Sequence, residues 1–297
     1  MTGECFICHH GEFDAVTPPY RRCRRCGHET PIVGAAQTFI VNDTLDAASV
    51  RRESTLDRFQ GTVLGRFSAR RARHLLVDIG SGSGKFLLHQ GQRFARRCGV
   101  EITPAAVDFS RQKLGLAIVS DIDAIAGEID VATAWHSLEH FPAPALDTLL
   151  RSLAAKIAPS GCVIVSVPNA ASFQYRLFRS AYAFFDVPNH QHQFTPDSLA
   201  RLFAAHGFRR AATVVSRPYN VFGYVQALLN LVVREHNCLY YRLKRGRTSA
   251  SSLGPIVSIV LLPIAVPVAL AFSLLDAVFP ARQGVLTCCF EKERSEP

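Results

Sequence analysis

The stretch HLLVDIGSGSGKFLLHQGQRFA, starting at His74, places an apolar strand, a glycine-rich turn and a helix in immediate succession. A strand that passes straight into a helix in this way opens a parallel α/β sheet, because parallel strands need a crossover and a helix supplies it. Three nucleotide motifs make different demands on the turn. A P-loop needs glycine where Ile79 stands and a hydroxyl where Phe86 stands, so it is excluded. The dinucleotide fingerprint is met by Gly80 and Gly82 but has Lys85 in place of its third glycine. What remains is Asp78 at the strand end, followed by Gly80, Gly82 and Gly84.

Further strands are predicted in RRCGVEIT, LGLAIVS, IDVATAW, CVIVSVPN, RRAATVVS and RQGVLTCCFEKE, so that about seven strands alternate with helices. PALDTLLRSLAAKIAPSG reads as an amphipathic helix on Leu146, Leu149, Leu150, Leu153 and Ile157, stopped by Pro159 and Gly161. TPDSLARLFAAHGF carries an N-cap at Thr195, proline at the first helical position and Gly207 just past its end. Ahead of the first strand, Thr44 is expected to cap a packing helix reaching to about Arg71, with Leu56, Phe59, Val63 and Phe67 at intervals of three and four.

The Asp-x-Gly-x-Gly-x-Gly turn, with Glu101 closing the second strand, resembles the class I S-adenosylmethionine-dependent methyltransferases. DVATAWHSLEHF resembles that family's fourth-strand motif, opening on Asp130 and ending in His136, Glu139 and His140; VSVPN resembles its fifth strand. FFDVPNHQHQFTPDSLARLFAAHGF resembles the run that precedes the sixth strand in many small-molecule members. The likeness covers residues 70 to 217 and the last strand, about half the chain. It implies a Rossmann-like seven-stranded sheet with helices on both faces, and S-adenosylmethionine as cofactor. Gly80, Gly82 and Gly84 would then let the backbone approach the methionine part, with Asp78 ordering the turn and facing the cofactor's amino group. Glu101 would take both ribose hydroxyls, and His136 would line the cofactor pocket. Near the adenine the family usually has an aspartate, for which VSDIDAIAGEID offers Asp121 and Asp123; Asp121 is preferred.

Methyl transfer from a sulfonium is an in-line displacement, so the protein has chiefly to align an acceptor and exclude water. A hydroxyl acceptor also needs its proton removed, for which a neutral histidine is the usual candidate. His136, His140, His190 and His192 all fall on loops that follow strands, where open α/β sheets place ligands. His190 is the first choice for a base or acceptor-orienting residue, with His136 second. Related enzymes that methylate amino groups of nucleobases carry an Asn/Asp-Pro-Pro-aromatic motif after the fourth strand. AWHSLEHF stands there instead, which favours a hydroxyl acceptor.

Upstream of the α/β region, Cys5-x2-Cys8 and Cys23-x2-Cys26 form two matched knuckles, the second followed by Gly27. Four thiolates so spaced close a tetrahedral site around a structural Zn²⁺, with no open position for catalysis. The first ten residues show no secretory signal, so the chain is expected in the cytosol, where cysteines stay reduced.

LGPIVSIVLLPIAVPVALAFSLLDAVF, Leu253 to Phe279, holds sixteen large aliphatic or phenylalanine side chains and the single charge of Asp276. Half of those side chains left in water would forfeit about 12 kcal/mol, comparable to a whole domain's stability. In the family the last two strands are antiparallel neighbours, and this run lies between them, so one membrane crossing is excluded. Pro263 and Pro267 are expected to bend the run into a hairpin entering one leaflet. VFGYVQALLNLVV places Gln226, Asn230 and Arg234 on one stripe, as in a helix lying at an interface. Arg234, Arg242, Lys244, Arg245 and Arg247 precede the run and Arg282 follows it, as suits a cytoplasmic-face anchor beside anionic headgroups. A helix pair buried in the fold or in a dimer interface is the alternative.

Four regions are therefore expected: a zinc-ribbon-like module at 1–32, a cofactor-binding core at 33–218, a membrane-associating insert at 219–282, and the last strand with its tail at 283–297. The expected protein is an O-methyltransferase of a small or lipid-linked acceptor, peripheral or monotopic at the inner membrane face. The net charge of +9, with 28 of 33 basic residues being arginine, keeps an RNA methyltransferase in view, though nucleic acid is the disfavoured partner. A non-catalytic cofactor-binding partner protein is the third reading.

Overall fold

The computed structural model describes residues 3–16, 18–32, 45–187, 189–233, 235–245 and 253–293. Thr44, Arg234 and Arg247 lie outside the described residues. Near the N-terminus, β1 (Phe13–Ala15), β2 (Tyr20–Cys23) and β3 (Glu29–Pro31) form a small antiparallel sheet.

The expected helix from Thr44 to Arg71 is replaced, within the described residues, by two: α1 (Ala47–Arg51) and α2 (Thr55–Ser68). Ser54 breaks it by forming a capping box. The Ser54 hydroxyl accepts from the Asp57 N–H at 3.3 Å, and the Asp57 carboxylate accepts from the Ser54 N–H at 2.6 Å. A reciprocal cap satisfies two donors that a continuous helix would have to bond along its axis, so the helix restarts there.

The seven remaining strands make one sheet: β4 (Leu75–Ile79), β5 (Arg96–Val100), β6 (Ala117–Val119), β7 (Ile129–Trp135), β8 (Ile157–Pro168), β9 (Phe208–Val214) and β10 (Val285–Lys292). Their spatial order is β6-β5-β4-β7-β8-β10-β9, with β10 antiparallel to both neighbours and the other contacts parallel. This is the Rossmann-like methyltransferase sheet that the sequence implies. The central strands are mostly apolar because helices cover both faces, and their buried polar side chains have bonding roles. Asp130 is a structural exception: its carboxylate accepts from the N–H groups of His74 and Leu75 at 2.9 and 2.8 Å and so pins the start of β4 beside β7.

The helices between strands are α3 (Lys85–His89), α4 (Pro104–Leu114), α5 (Ala143–Lys156), α6 (Phe173–Phe178) and α7 (Pro196–Ala204). Pro159 and Gly161, expected to stop α5, lie inside β8, which starts directly after the helix at Ile157. The register slips there: Ile129 faces Ile157 while Val131 faces Cys162, so the Pro-Ser-Gly segment bulges out of the ladder.

Between β9 and β10 come α8 (Arg217–Val232), α9 (Cys238–Arg245) and α10 (Gly254–Val278). The expected hairpin at Pro263 and Pro267 does not form: α10 is one helix of 25 residues running through both prolines. The two rings stand four residues apart and both are exposed, so the disrupted bonds lie on the outward side and the side packed on α8 stays regular.

The polarity of α10 is reversed relative to a helix that covers a soluble core. Small or polar residues face the protein, among them Ser258, Ala265, Ala269, Ser273 and Asp276. Large aliphatics face away, with Val260 68%, Ile264 66% and Leu274 66% exposed. Asp276 is fully buried and accepts from the Tyr224 hydroxyl at 3.2 Å, which accounts for the one charge in the run.

Candidate active site

At the carboxyl end of β4, Gly80, Gly82 and Gly84 all adopt left-handed backbone, with φ of 68°, 52° and 73°. Two of them also have no room for a side chain. A Cβ on Gly80 would sit 2.5 Å from the Cβ of Ser137, and one on Gly84 would sit 2.5 Å from Leu116 Cδ1. Glycine is required here both for conformation and for the approach of β7 and α4. Glu101, at the end of β5, folds its carboxylate over the turn. Oε2 accepts from the Gly82 N–H at 2.9 Å, and Oε1 from the Ile102 and Thr103 N–H groups at 2.9 and 2.8 Å. Asp78 accepts a 2.6 Å bond from the Thr133 hydroxyl, which ties the turn to β7.

A cavity of about 820 Å³ opens over these strand ends. Gly80, Gly82, Glu101 and Asp121 line it together with His136, Glu139, His140 and His190. The structure thus brings six of the sequence-predicted positions, including His136 and His190, into one space. Asp78 and Gly84 are not among the lining residues; Asp78 is bonded to Thr133, and Gly84 is crowded by Leu116 and Ser110. Asp121 is exposed, and its carboxylate caps the following helical turn by accepting from the Asp123 N–H at 2.9 Å.

His136 follows β7 in left-handed backbone (φ 52°), its N–H bonded to the Ser166 carbonyl at 2.8 Å. Its ring stacks on Phe184, lies 4.7 Å from the ring of Tyr219, and directs Nδ1 to Glu139 Oε1 at 3.3 Å. Burial opposes ionisation of Glu139, but His136, His140 and His190 outweigh it and hold the carboxyl down to about 2. His190 is pushed down to about 4 by burial, with repulsion from His140 adding to the effect, so its imidazole is neutral at physiological pH. A nitrogen lone pair is thereby present on His190, at reduced basicity.

Some of this was hidden at the level of sequence. Glu139 was visible as part of His-x-x-Glu-His, but nothing in the spacing distinguishes a carboxylate facing the cavity from one facing solvent. Phe222, His236, Tyr240 and Tyr241 also line the cavity, although they belong to the apolar insert. Aromatic residues at helical spacing look alike whether they wall a site or fill a core, and only the docking of α8 and α9 separates the two.

The N-terminal cysteines form a second centre. Cys5 and Cys26 have sulfurs 3.7 Å apart, and Cys8 and Cys23 3.5 Å apart, with all four sulfurs within 4.8 Å of one another. Sulfurs bound at about 2.3 Å to a tetrahedral zinc lie about 3.8 Å apart, so the cradle fits the ion. This module rests on the loop that carries His190. The Tyr20 hydroxyl donates to the His190 carbonyl at 2.8 Å, Thr195 Oγ1 donates to the Cys26 carbonyl at 2.8 Å, and His28 Nε2 lies 3.0 Å from His192 Nδ1. Glu29, fully buried, accepts from Arg22 and from the Tyr175 hydroxyl of α6.

The sheet order, its antiparallel penultimate strand, and a glycine turn beside an acidic strand end define a class I S-adenosylmethionine-dependent methyltransferase. Residues 53–212 match the family described as a methyltransferase domain, and the chain belongs to that family. No curated protein matches the chain. Among solved structures, an S-adenosylmethionine-dependent methyltransferase of Archaeoglobus fulgidus is 24% identical, with 52% of this chain and 69% of that one covered and a TM-score of 0.43. Magnesium protoporphyrin IX methyltransferase of Synechocystis, solved with bound SAH, is 18% identical over 61% of this chain and 83% of that one, TM-score 0.42. DesVI of Streptomyces venezuelae is 16% identical over 37% of this chain, which spans only 48% of the length of DesVI, at a TM-score of 0.32.

Proposed function

We propose that the chain O-methylates a small or lipid-linked acceptor at the cytoplasmic face of a membrane. The observation that supports this most directly is the shared cavity, lined both by the glycine turn with Glu101 and by a histidine-carboxylate pair. Bound at the turn, S-adenosylmethionine supplies a methyl group on a sulfonium. Gly80 and Gly82 leave backbone space for its methionine part, Glu101 meets the ribose hydroxyls, and Asp121 meets the adenine side. The Glu139 carboxylate lies 3.3 Å from His136 Nδ1 as an ion-pair contact and favours a proton there, so that Nε2 is the nitrogen able to take the acceptor's proton as its oxygen gains the methyl group. His190 orients the acceptor. The aromatic side chains of Phe184, Tyr219 and Phe222 exclude water and fit a phenolic or similarly flat acceptor.

A second, almost wholly apolar crevice favours acceptors that reside in lipid. It is walled by α2, α8 and α10, and Leu56 and Phe222 line both it and the main cavity. An acyl or prenyl tail lying in the crevice would place its head at the histidines. The outward aliphatic face of α10 then rests in the headgroup and acyl boundary, with α10 lying along the membrane surface. Zinc held by Cys5, Cys8, Cys23 and Cys26 makes the N-terminal module a rigid brace for the His190 loop.

The test is incubation of the purified protein with methyl-labelled S-adenosylmethionine and, separately, lipid, polar-metabolite and RNA extracts. Label in the lipid extract, in an alkali-stable ether, is the expected result. Label in RNA alone would replace this reading with an RNA methyltransferase, and cofactor binding without label in any extract would make the chain a non-catalytic binding protein.

A further inference from the structure

The side chains of Glu139, His140 and His190 converge: one ligand atom from each lies within 4.8 Å of the other two. Glu139 is fully buried and His190 is 6% exposed, and both belong to the cavity wall. Neither Glu139 oxygen meets a hydrogen-bond donor in bonding geometry, and His190 Nδ1 has no partner. His136 approaches only one of the carboxylate oxygens, Oε1, as an ion-pair contact at 3.3 Å. A buried carboxylate with an unbonded oxygen beside an unbonded imidazole nitrogen is an arrangement that proteins ordinarily avoid.

We propose that Glu139, His140 and His190 hold a divalent cation in the wall of the cavity, and that this cation takes the hydroxyl oxygen of the acceptor in a remaining coordination position. Two imidazoles and a carboxylate suit zinc, manganese, iron or cobalt, and three protein ligands leave positions open for substrate or water. Ligand atoms about 2.1 Å from an ion are at most about 4.2 Å apart, so the present spacing closes on an ion with a small inward shift.

The surroundings fix the ligands for this role. His140 Nδ1 lies 3.2 Å from the Asn189 carbonyl, which can only accept, so Nδ1 carries the proton and Nε2 the lone pair. Such a bond from the distal nitrogen of a metal-binding histidine is the usual means of setting its tautomer. The backbone carbonyl of Glu139 accepts from the N–H groups of Gln191 and His192 at 2.7 and 3.1 Å, which ties the two ligand-bearing segments together. His190 is held from the other side by the Tyr20 hydroxyl. A cation here would lower the pKa of a bound hydroxyl, so the acceptor can shed its proton to His136 or to water before the methyl group arrives.

The metal site rests on the methyltransferase reading only for its use, not for its existence, and metal content separates the two. Full-length protein is dialysed separately against Zn²⁺, Mn²⁺ and Co²⁺, freed of loose metal, and its metal per chain measured alongside S-adenosylmethionine binding. For at least one of the cations, Glu139→Gln and His190→Gln are expected to hold one metal per chain fewer than the parent, while Asp121→Asn loses none. Thermal unfolding identifies any variant that fails to fold, and His140→Gln serves as the third ligand variant. Metal content that all three ligand variants leave unchanged with every cation would overturn the proposal even if cofactor binding is normal. The expected loss of metal in the variants, without cofactor binding by the parent, would instead leave the metal site standing and remove the proposed function.

Discussion

Tyr20, in the small N-terminal sheet, donates its hydroxyl hydrogen to the carbonyl oxygen of His190 at 2.8 Å, across 170 residues of chain. The cysteine module is thereby part of the wall that carries a candidate acceptor-binding residue. Tyr20→Phe keeps the ring and removes the bond, so stability should fall by about 1 kcal/mol. Methyl transfer should drop several-fold with S-adenosylmethionine affinity unchanged, as read by denaturant titration, calorimetry and turnover. A parallel loss of cofactor affinity would show that the module acts on the whole fold rather than on this loop.

Glu101 lines the same cavity beside the glycine turn. Its carboxylate accepts three backbone N–H bonds and faces the proposed ribose position. Glu101→Ala leaves those donors without an acceptor and removes the ribose partner. Cofactor affinity should fall at least about tenfold, since hydrogen bonds to a charged group contribute about 1.5–3 kcal/mol. Calorimetric titration with S-adenosylmethionine measures it.

Gly80→Ala tests the turn. The new methyl group would lie 2.5 Å from the Ser137 Cβ, and the backbone φ of 68° is strained for any other residue. Destabilisation of about 1–3 kcal/mol is expected from strain and displacement of the β7 loop. Gly91→Ala is the comparison: it has a φ of 53° but nothing within 4 Å of the added Cβ, so only the conformational cost remains. Melting temperatures of the two variants separate the terms.

Asp276 makes stability depend on pH. Burial pushes its carboxyl up to about 6, against the opposing bond from the Tyr224 hydroxyl. The folded state therefore binds more protons than the unfolded state between the ordinary aspartate range and pH 6. In that window this group makes stability fall as pH rises, and the cost is fully present above it. Asp276→Asn keeps an acceptor for Tyr224 and removes the cost. The variant should be more stable than the parent at pH 8 by about 2–3 kcal/mol. The difference should vanish near pH 4, as denaturant unfolding at the two pH values will show.

The outward face of α10 gives a test that leaves the interior alone. Val260 and Ile264 are 68% and 66% exposed and neither lines the crevice, so replacing both with serine removes apolar surface without opening a cavity. Binding to vesicles of anionic and neutral phospholipid should weaken by about a hundredfold, at about 1.5 kcal/mol per side chain. Unfolding in detergent-free buffer should change little. Unaltered vesicle binding would mean that another surface meets the membrane, or that none does.

The features legible in the chain were those governed by local chemistry. The glycine turn, the apolar strands, the Thr195 cap and the paired cysteines each follow from backbone sterics, period or ligand spacing within a few residues, and the structure places them accordingly. Decisions that depend on distant partners were not legible. Whether Pro263 and Pro267 would break α10 depended on their rings lying on its outward side. Whether Pro159 and Gly161 would end a helix or bulge a strand depended on the register against Ile129 and Val131. The one charge of the apolar run is accommodated by Tyr224, 52 residues earlier.

The same division runs through the site. Sequence by itself determined a strand, glycine turn and helix with an acidic residue at the next strand end, because these are fixed by neighbours along the chain. Only the tertiary structure decided that Glu139 is buried among three histidines, that the insert contributes aromatic walls, and that the cysteine module braces the His190 loop. Burial and convergence are properties of segments far apart in the chain, and a linear pattern carries no distance between them.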